Sequence, residues 1–352
     1  MKKKAYKIKR LLLSLFLILL ISLSLSAQNA SKEISKTYDV RKGFTMNVNS
    51  KYSDIELLTW DQDVLDVLIV MEVDAGSEER SGNLLDKIDV DISETDNSVS
   101  FVTEFNFNGT PGRNVEIAVK YSVKLPSYLN LTVENSYGNV YLQELAGVAA
   151  LDVQYGNLKV NKLTRGNDKP YNKLEIAYGN LEIEEAGWIE LNASYSDCVV
   201  SNADMLFVKS KYSKFYGEHA GAVITEGKYD KYMFDEIDNF VGELKYSNVR
   251  FDRLNTKFDL NASYTNVKIE MLPKGFEKIR SDQSYGNFFL VTEKGNSFNL
   301  NAQSNYGGID VVPESNLKRS RDNGTMKVTG TVGSPSKSEV EVITRYGNID
   351  IK

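Results

Sequence analysis

A tyrosine recurs at a nearly constant spacing through most of this chain of 352 residues. The most regular copies, which are 17 residues apart, are Tyr195, Tyr212, Tyr229 and Tyr246. The copies followed by Gly-Asn and an apolar residue are Tyr137, Tyr155, Tyr178, Tyr285 and Tyr346. Variants of the same frame stand at Tyr52, Tyr264 and Tyr306. A fixed period near 20 residues is typical of a chain that coils by stacking similar units.

Apolar residues alternate with polar ones on both sides of each tyrosine. Leu174 and Ile176 precede Tyr178, and Leu181 and Ile183 follow it. This period of two predicts strands with one face inside, joined by a sharp corner of turn-forming residues. Seventeen extended residues span roughly 55 Å, which suffices for two short strands and two turns per unit.

We therefore predict an all-β fold: a single-chain β-solenoid, parallel β-helix-like, with rungs of 17–23 residues and an N-terminal β-rich cap region. A long antiparallel sandwich would explain the alternation but not the near-constant period. Stacked rungs lie about 4.8 Å apart, so equivalent side chains form columns. Amides that can hydrogen-bond along such columns are those of Asn139, Asn157 and Asn180, and those of Asn248 and Asn266.

The alternation also gives the tyrosines an inward phase, so we expect them to form a buried structural ladder. The predicted ladder comprises Tyr137, Tyr155, Tyr178, Tyr195, Tyr212, Tyr229, Tyr246, Tyr264, Tyr285, Tyr306 and Tyr346. Burial would make each ring part of the core and each change to alanine strongly destabilising. The alternative is that the tyrosines face solvent as a strip that binds sugars.

The N-terminus has the pattern of an export signal. Six basic residues lie within residues 2–10, followed by the apolar stretch Leu11–Leu25 and small residues up to Ala27. This pattern is typical of a secretory signal peptide cleaved after Ala27, and an uncleaved membrane anchor is the alternative. We expect a signal peptide at 1–27, the N-terminal β-rich cap region at 28–130 and the β-solenoid repeat region at 131–352. The predicted location is the periplasm, the outer membrane or the cell surface, with no integral membrane span after cleavage.

The two ends of the solenoid need caps, because an open terminal strand invites pairing with another edge. The N-terminal region is expected to form one cap and to contain one helix, over Ser77–Ile88. The final strands are expected to form the other cap, with Asn323–Val328 as a degenerate unit that lacks a tyrosine.

The charge and the reactive residues exclude several classes of function. Removal of residues 1–27 removes six basic and no acidic residues, leaving 36 basic and 48 acidic residues and a net charge of −12. Because nucleic acid is also negatively charged, such a chain is a poor candidate for binding it. Cys198 occupies an inward slot and is expected to be a buried structural thiol. The lone His219, in an expected return turn, makes neither a zinc site nor a hydrolase triad. We predict no catalytic residue, no metal, no cofactor and no enzymatic activity.

Several motifs together resemble a known family. They are Phe44–Val48, Tyr52–Leu57 with Trp60 and Asp61, Val123–Pro126, Leu131–Leu142 and the Tyr-Gly-Asn repeats. In this combination the chain resembles the bacterial putative-adhesin family of unknown function, similar to auto-transporter adhesin heads of exported Bacteroidota proteins. The resemblance covers most of residues 38–352 and implies a β-solenoid in the cell envelope. The units at Tyr212 and Tyr229 depart from it, because Ser-Lys and Asp-Lys replace Gly-Asn.

Three functions remain open at this point. The first is a non-catalytic exported envelope scaffold, adhesin-like and monomeric, that binds a glycan or an envelope protein along a solenoid face. The others are an accessory protein of envelope stress or signalling, and a polysaccharide-active enzyme on a β-helix. The candidate ligand face consists of lysines that the period places in two columns: Lys211, Lys228 and Lys245 in one, Lys214 and Lys231 in the other. Such columns attract an anionic ligand, unless Glu226 and Glu243 neutralise them internally.

Overall fold

The computed structural model of the chain describes residues 29–107, 112, 114–312 and 316–352. The predicted signal peptide, 1–27, lies outside the described residues. The N-terminal elements are β1 (Asn29–Asp39), β2 (Thr45–Lys51), β3 (Ser53–Trp60), β4 (Val64–Asp74), the helix α1 (Glu78–Leu85), β5 (Ile88–Thr95), β6 (Ser98–Phe105) and β7 (Glu116–Pro126).

The repeat units follow as strands that come in pairs around each tyrosine. The first are β8 (Asn130–Ser136), β9 (Val140–Leu145), β10 (Ala149–Gln154), β11 (Asn157–Leu163) and β12 (Asn172–Ala177). The longest are β13 (Asn180–Ser194), β14 (Asp197–Lys211), β15 (Lys214–Lys228), β16 (Lys231–Lys245) and β17 (Asn248–Ser263). The remainder are β18 (Asn266–Leu272), β19 (Lys278–Ser284), β20 (Phe288–Thr292), β21 (Phe298–Asn305), β22 (Ile309–Val311), β23 (Leu317–Asp322), β24 (Thr325–Val332), β25 (Glu339–Arg345) and β26 (Ile349–Ile351).

The repeats stack as a flattened coil with two parallel faces. Face A is made by the strands that lead into a tyrosine, and face B by the strands that follow it. On face A the register aligns Leu174 with Leu191, and on face B it aligns Leu158 with Leu181. Inward side chains from both faces form one continuous apolar core. The prediction of an all-β solenoid is confirmed.

The two corners of each rung differ. At the second corner, where face B passes into face A, β13 to β17 bend without interruption around small buried side chains such as Ala186, Ala203 and Ala220. At the first corner every repeat tyrosine takes a positive φ, between 52° and 63°. The predicted corner of turn-forming residues after the tyrosine thus begins one residue earlier than expected, because the left-handed residue is the tyrosine. The tyrosine itself reverses the chain direction.

The glycine after the tyrosine serves a different purpose, which is close contact between rungs. A Cβ atom added to Gly156 would lie 1.9 Å from the carbonyl oxygen of Gly138 in the preceding rung. Gly179 and Gly286 are equally tight, at 1.8 Å from backbone oxygens. No side chain fits at these positions without moving the backbone.

The N-terminal region covers one end of the solenoid with antiparallel pairs. β1 pairs with β4 and β4 with β7, while β5 pairs with β6. β6 and β7 then join the parallel stacks through β2 and β3. The predicted helix is present as α1, capped by the Ser77 hydroxyl, which accepts from the Arg80 N–H. Its end, at Leu85, comes before the predicted Ile88.

At the other end of the solenoid, the final strands do not form the cap, contrary to the prediction. β25 lies inside the stack, paired in parallel with both β19 and β21, and β26 likewise pairs with β20 and β22. The cover is the antiparallel pair β23 and β24, of which β24 pairs with β21. Asn323 and Gly324, at φ 44° and 82°, form the tight hairpin turn between them. Because Asn-Gly is a hairpin signal, Asn323–Val328 is not a degenerate solenoid unit.

Candidate ligand face along the tyrosine corner

The repeat tyrosines lie on the surface, which corrects their predicted inward orientation. Their exposed fractions run from 44% at Tyr195 to 66% at Tyr306. The alternation of the strands ends at the corner, since the left-handed residue reverses the chain. Lys211 before Tyr212 points outward and Ser213 after it points inward, and the ring between them projects from the edge.

The exposed rings stack on one another along the whole corner. Neighbouring ring centroids are 4.9 Å apart for Tyr155 and Tyr178 and 4.6 Å apart for Tyr212 and Tyr229, with nearly parallel planes. A left-handed backbone costs a non-glycine residue about 1–2 kcal/mol, which ring stacking of about 0.5–1.5 kcal/mol per pair offsets. Because the ring faces cover each other, mainly ring edges and hydroxyl groups reach the solvent.

An asparagine column runs beside the tyrosines on face B. The Asn157 side-chain amide donates to Asn139 Oδ1 at 2.8 Å, and that of Asn180 to Asn157 Oδ1 at 2.9 Å. The Asn266 amide reaches Asn248 Oδ1 at 3.5 Å. These bonds confirm the predicted amide columns. Asp197, Lys214 and Lys231 interrupt them, and Lys214 Nζ lies 2.9 Å from Asp197 Oδ2.

Residues 195–264 form the rungs in which the asparagine column is interrupted, and we call them the central rungs. On face A they carry the lysine column, which consists of Lys211, Lys228 and Lys245 in register. Glu226 and Glu243 form the glutamate column, two residues earlier on the same face, with Lys209 in register before them. Within the described part of the chain, no ion pair within 4 Å joins the two columns. The proposed internal neutralisation of the lysines by these glutamates is therefore not seen.

A third column of the central rungs was missed by the sequence analysis. Phe207, Ile224 and Val241 lie in register on the outside of face A and form the apolar column. Ile224 is 40% exposed and Val241 38%. At one end Phe207 packs against Tyr171 and Trp188, with ring centroids 5.5 and 5.9 Å away. The available signal was three apolar residues 17 apart in a phase that other rungs fill with polar residues.

Below the tyrosine corner, the central rungs hold a buried carboxyl group. Asp230 is 1% exposed and accepts from the Ser213 N–H at 2.8 Å and from the Ser210 hydroxyl at 2.9 Å. Ser210 in turn contacts the Tyr232 hydroxyl at 2.8 Å. Desolvation by burial raises the pKa of Asp230 to about 6, although these hydrogen bonds lower it. Burial also raises the pKa of the nearby Cys198 thiol far above its usual range.

His219 lies in strand β15 and not in the predicted turn. It stands in register between Asn202 and Glu236, half exposed, with Nε2 3.8 Å from Asp238 Oδ2. Across the described ranges, no group of three or more histidine, cysteine or acidic residues is arranged to hold a metal. The same residues include no helix long and apolar enough to cross a membrane.

Comparison with known proteins gives structural similarities alone. No protein-family model and no curated protein matches the chain. It is similar to a putative cell adhesion protein from Clostridium sporogenes, with 12% identity over 92% of this chain and 99% of that one and a TM-score of 0.20. It is also similar to a putative adhesin from Bacteroides fragilis, with 11% identity over 91% and 97% and a TM-score of 0.30. A putative adhesin from Parabacteroides distasonis has 10% identity over 91% and 97% and a TM-score of 0.26.

The names of these proteins match the putative-adhesin family that the repeats resemble. Their identities of at most 12% and TM-scores of at most 0.30 assign neither a ligand nor an activity to this chain. The ligand and the activity must therefore be inferred from the residues of the central rungs.

Proposed function

We propose that the chain is an exported, non-catalytic scaffold of adhesin type that binds a macromolecule across face A of its central rungs. Support for export comes from the basic, apolar and small residues of 1–27. Support for binding comes from the surface of the central rungs, where three lysines without an ion pair among the described residues are aligned in register.

The observation that carries the proposal is the lysine column. Lys211, Lys228 and Lys245 stack in register on a chain of net negative charge. Like charges in adjacent rungs repel one another unless a counter-charge lies between them. No described side chain forms an ion pair with them, although Lys211 Nζ lies 5.9 Å from the centre of the Tyr195 ring. An external anionic group would supply the missing counter-charge.

The class of ligand follows from that chemistry. An acidic polysaccharide or a carboxylate patch on a protein would bind the ammonium groups, and the neighbouring tyrosine hydroxyls would donate hydrogen bonds. Lys214 and Lys231 flank the same tyrosines on face B, but Lys214 is already paired with Asp197. Lys231 thus adds to the binding surface more than Lys214 does.

Chromatography of the mature chain on immobilised polygalacturonate, a polymer of carboxylate sugars, tests the proposal. We expect salt-dependent retention that is lost when Lys211, Lys228 and Lys245 are changed to glutamine. The matched control changes Lys318, Lys327 and Lys337 to glutamine, which removes the same charge from exposed positions of the C-terminal cover and of the loop that follows it. Equal loss in the control would mean a non-specific charge effect, and absence of retention in the parent would rule out a polyanionic ligand.

A further inference from the structure

The surface beside the tyrosines presents both signs of charge in adjacent columns. The lysine and glutamate columns are two residues apart along each strand, which is roughly 6–7 Å. A uniformly anionic polymer on the lysines would also lie against Glu226 and Glu243, which repel it. The best-fitting partner reverses the pattern, with carboxylates over the lysines and cations over the glutamates.

The chain itself carries that reversed pattern when it is turned over. A twofold axis parallel to the solenoid axis, midway between the two columns, brings face A of one copy against face A of another. Each rung keeps its height, so Lys228 meets Glu226 of the second copy and Lys245 meets Glu243 of the second copy. The symmetry repeats both contacts, which gives four opposite-charge pairs in one isologous interface.

We propose that the partner of the central rungs is a second copy of this chain, paired face A to face A about such an axis. The inference rests on the proposed function and names the carboxylate patch that the lysine column binds. It also accounts for the apolar column, since Ile224 and Val241 then lie towards the tyrosine edge of the second copy. That contact removes exposed apolar area from water on both copies.

The orientation of the pair is specified by the same columns. A twofold axis along the strands would instead place lysine on lysine and glutamate on glutamate, which is repulsive. The favoured pair keeps the two solenoid axes parallel, so the copies stand side by side and point in the same direction. Lys209 is the exception to the pattern, because it faces Lys211 of the second copy at one end of the interface.

The size of the surface predicts how strong the pair is. The axis lies about two residues from the tyrosine corner, so the two copies overlap over roughly 14 Å of the width of face A. Five rungs extend this strip about 24 Å along the solenoid, which covers roughly 340 Å² per copy. That area is well below the size of a standard stable interface, so the dimer is weak and depends on concentration. Its charge pairs also make it sensitive to salt.

Sedimentation equilibrium of the mature chain over a concentration series at low salt tests the inference, with a charge exchange as the decisive step. We expect a monomer–dimer equilibrium that shifts to monomer at high salt. Lys228→Glu with Lys245→Glu, and separately Glu226→Lys with Glu243→Lys, should each weaken the dimer at least tenfold, because all four pairs become repulsive. Mixing the two variants restores opposite charges at every pair and should restore association. Lys318→Glu with Lys327→Glu is the control of equal charge change and should leave the parent equilibrium unchanged.

A gain of affinity provides a second readout that damage to the fold cannot imitate. Lys209→Glu removes both like-charge contacts between Lys209 and Lys211 and should tighten the dimer several-fold. A parent that stays monomeric at low salt, or variants that fail to associate when mixed, would overturn the inference. If the parent is monomeric but the polygalacturonate retention still depends on the lysine column, the proposed function stands and the ligand is an acidic glycan. If the chain dimerises and ignores polygalacturonate, the second copy is the anionic partner.

Discussion

The Gly-Asn rungs and the central rungs support the same tyrosine stack with two different corners. At Tyr155 and Tyr178 the residue after the tyrosine is glycine, since the neighbouring backbone leaves no room for a side chain. At Tyr212 and Tyr229 it is Ser213 and Asp230, whose side chains accept a backbone N–H from the preceding rung. The exterior changes with the corner, from hydrogen-bonded asparagines to charged side chains. Ring stacking is thus independent of corner type, whereas the surface chemistry is not.

The largest expected effect is that of a methyl group at a Gly-Asn corner. Gly156→Ala places Cβ against the Gly138 carbonyl oxygen, which only a backbone shift can relieve. We expect a loss of about 4 kcal/mol or more, or failure to fold. Ser213→Ala at a central corner removes two hydrogen bonds, one accepted from the Ser196 N–H and one donated to the Lys211 carbonyl, and should cost about 1–2 kcal/mol. Urea unfolding followed by circular dichroism measures both, and similar losses would show that the two corners do not differ.

The buried Asp230 should give the central rungs a pH dependence of their own. Its folded pKa of about 6 exceeds the unfolded value of 3.8, so the folded chain holds this proton more tightly. The parent is stabilised by this group below about pH 4 and loses that stability as the pH rises through 6. Asp230→Asn should therefore be more stable than the parent by about 2–3 kcal/mol at pH 7, a difference that vanishes near pH 4. Thermal unfolding across this range measures it, and Asp235→Asn, on the strand that follows Asp230, is the exposed control. An advantage of equal size at pH 4 and pH 7 would contradict the assignment.

The tyrosine stack should respond equally in the two kinds of rung. Tyr155→Ala and Tyr212→Ala each remove two ring contacts and should each cost about 1–3 kcal/mol. Tyr306→Ala removes one contact, at the end of the stack, and should cost about half as much. Unfolding free energies of the three variants test this. Losses of 4 kcal/mol or more would indicate buried rings.

The smallest effect is expected on the outside of the central corner. Lys231→Asn restores the residue type of the Gly-Asn rungs at an exposed site without an ion pair among the described residues. The unfolding free energy should change by less than about 0.5 kcal/mol. A larger gain would mean that the asparagine column, and not the stack, sets the stability of the corner.

Period and alternation in the sequence were sufficient to predict the strands, the core and the register. A spacing of 17 residues places Lys211, Lys228 and Lys245 in one column whatever the details of the corner. The same alternation gave the wrong side for the tyrosines, because a left-handed tyrosine is uncommon and breaks the phase of two. The glycine after the tyrosine is required by close contact with the neighbouring rung, such as that of Gly156 with Gly138, which lies 18 residues away in sequence.

Other features of the site depend on tertiary pairing and could not be derived from a local pattern. The apolar column is visible only when Phe207, Ile224 and Val241 are aligned across rungs and seen to face outward. The raised pKa of Asp230 follows from burial at a corner where other rungs have glycine, serine or threonine. A regular period also predicts that rungs stack in chain order. β25 does not follow this order, because it stacks between β19 and β21.

The position of β25 has a consequence for the order in which the chain can acquire its structure during synthesis. Glu339 pairs with Lys278 on one side and with Asn299 on the other, so both neighbouring rungs precede it by about 40–60 residues. A chain emerging from its N-terminus can wind rung upon rung as far as β19 and β20. β21 and β22 then have no rung to stack on until β25 and β26 have been synthesised, because loop closure over such a distance must come first. Completion of the solenoid thus waits for the arrival of 339–351, and a chain interrupted before them leaves the edges of β19 and β20 open.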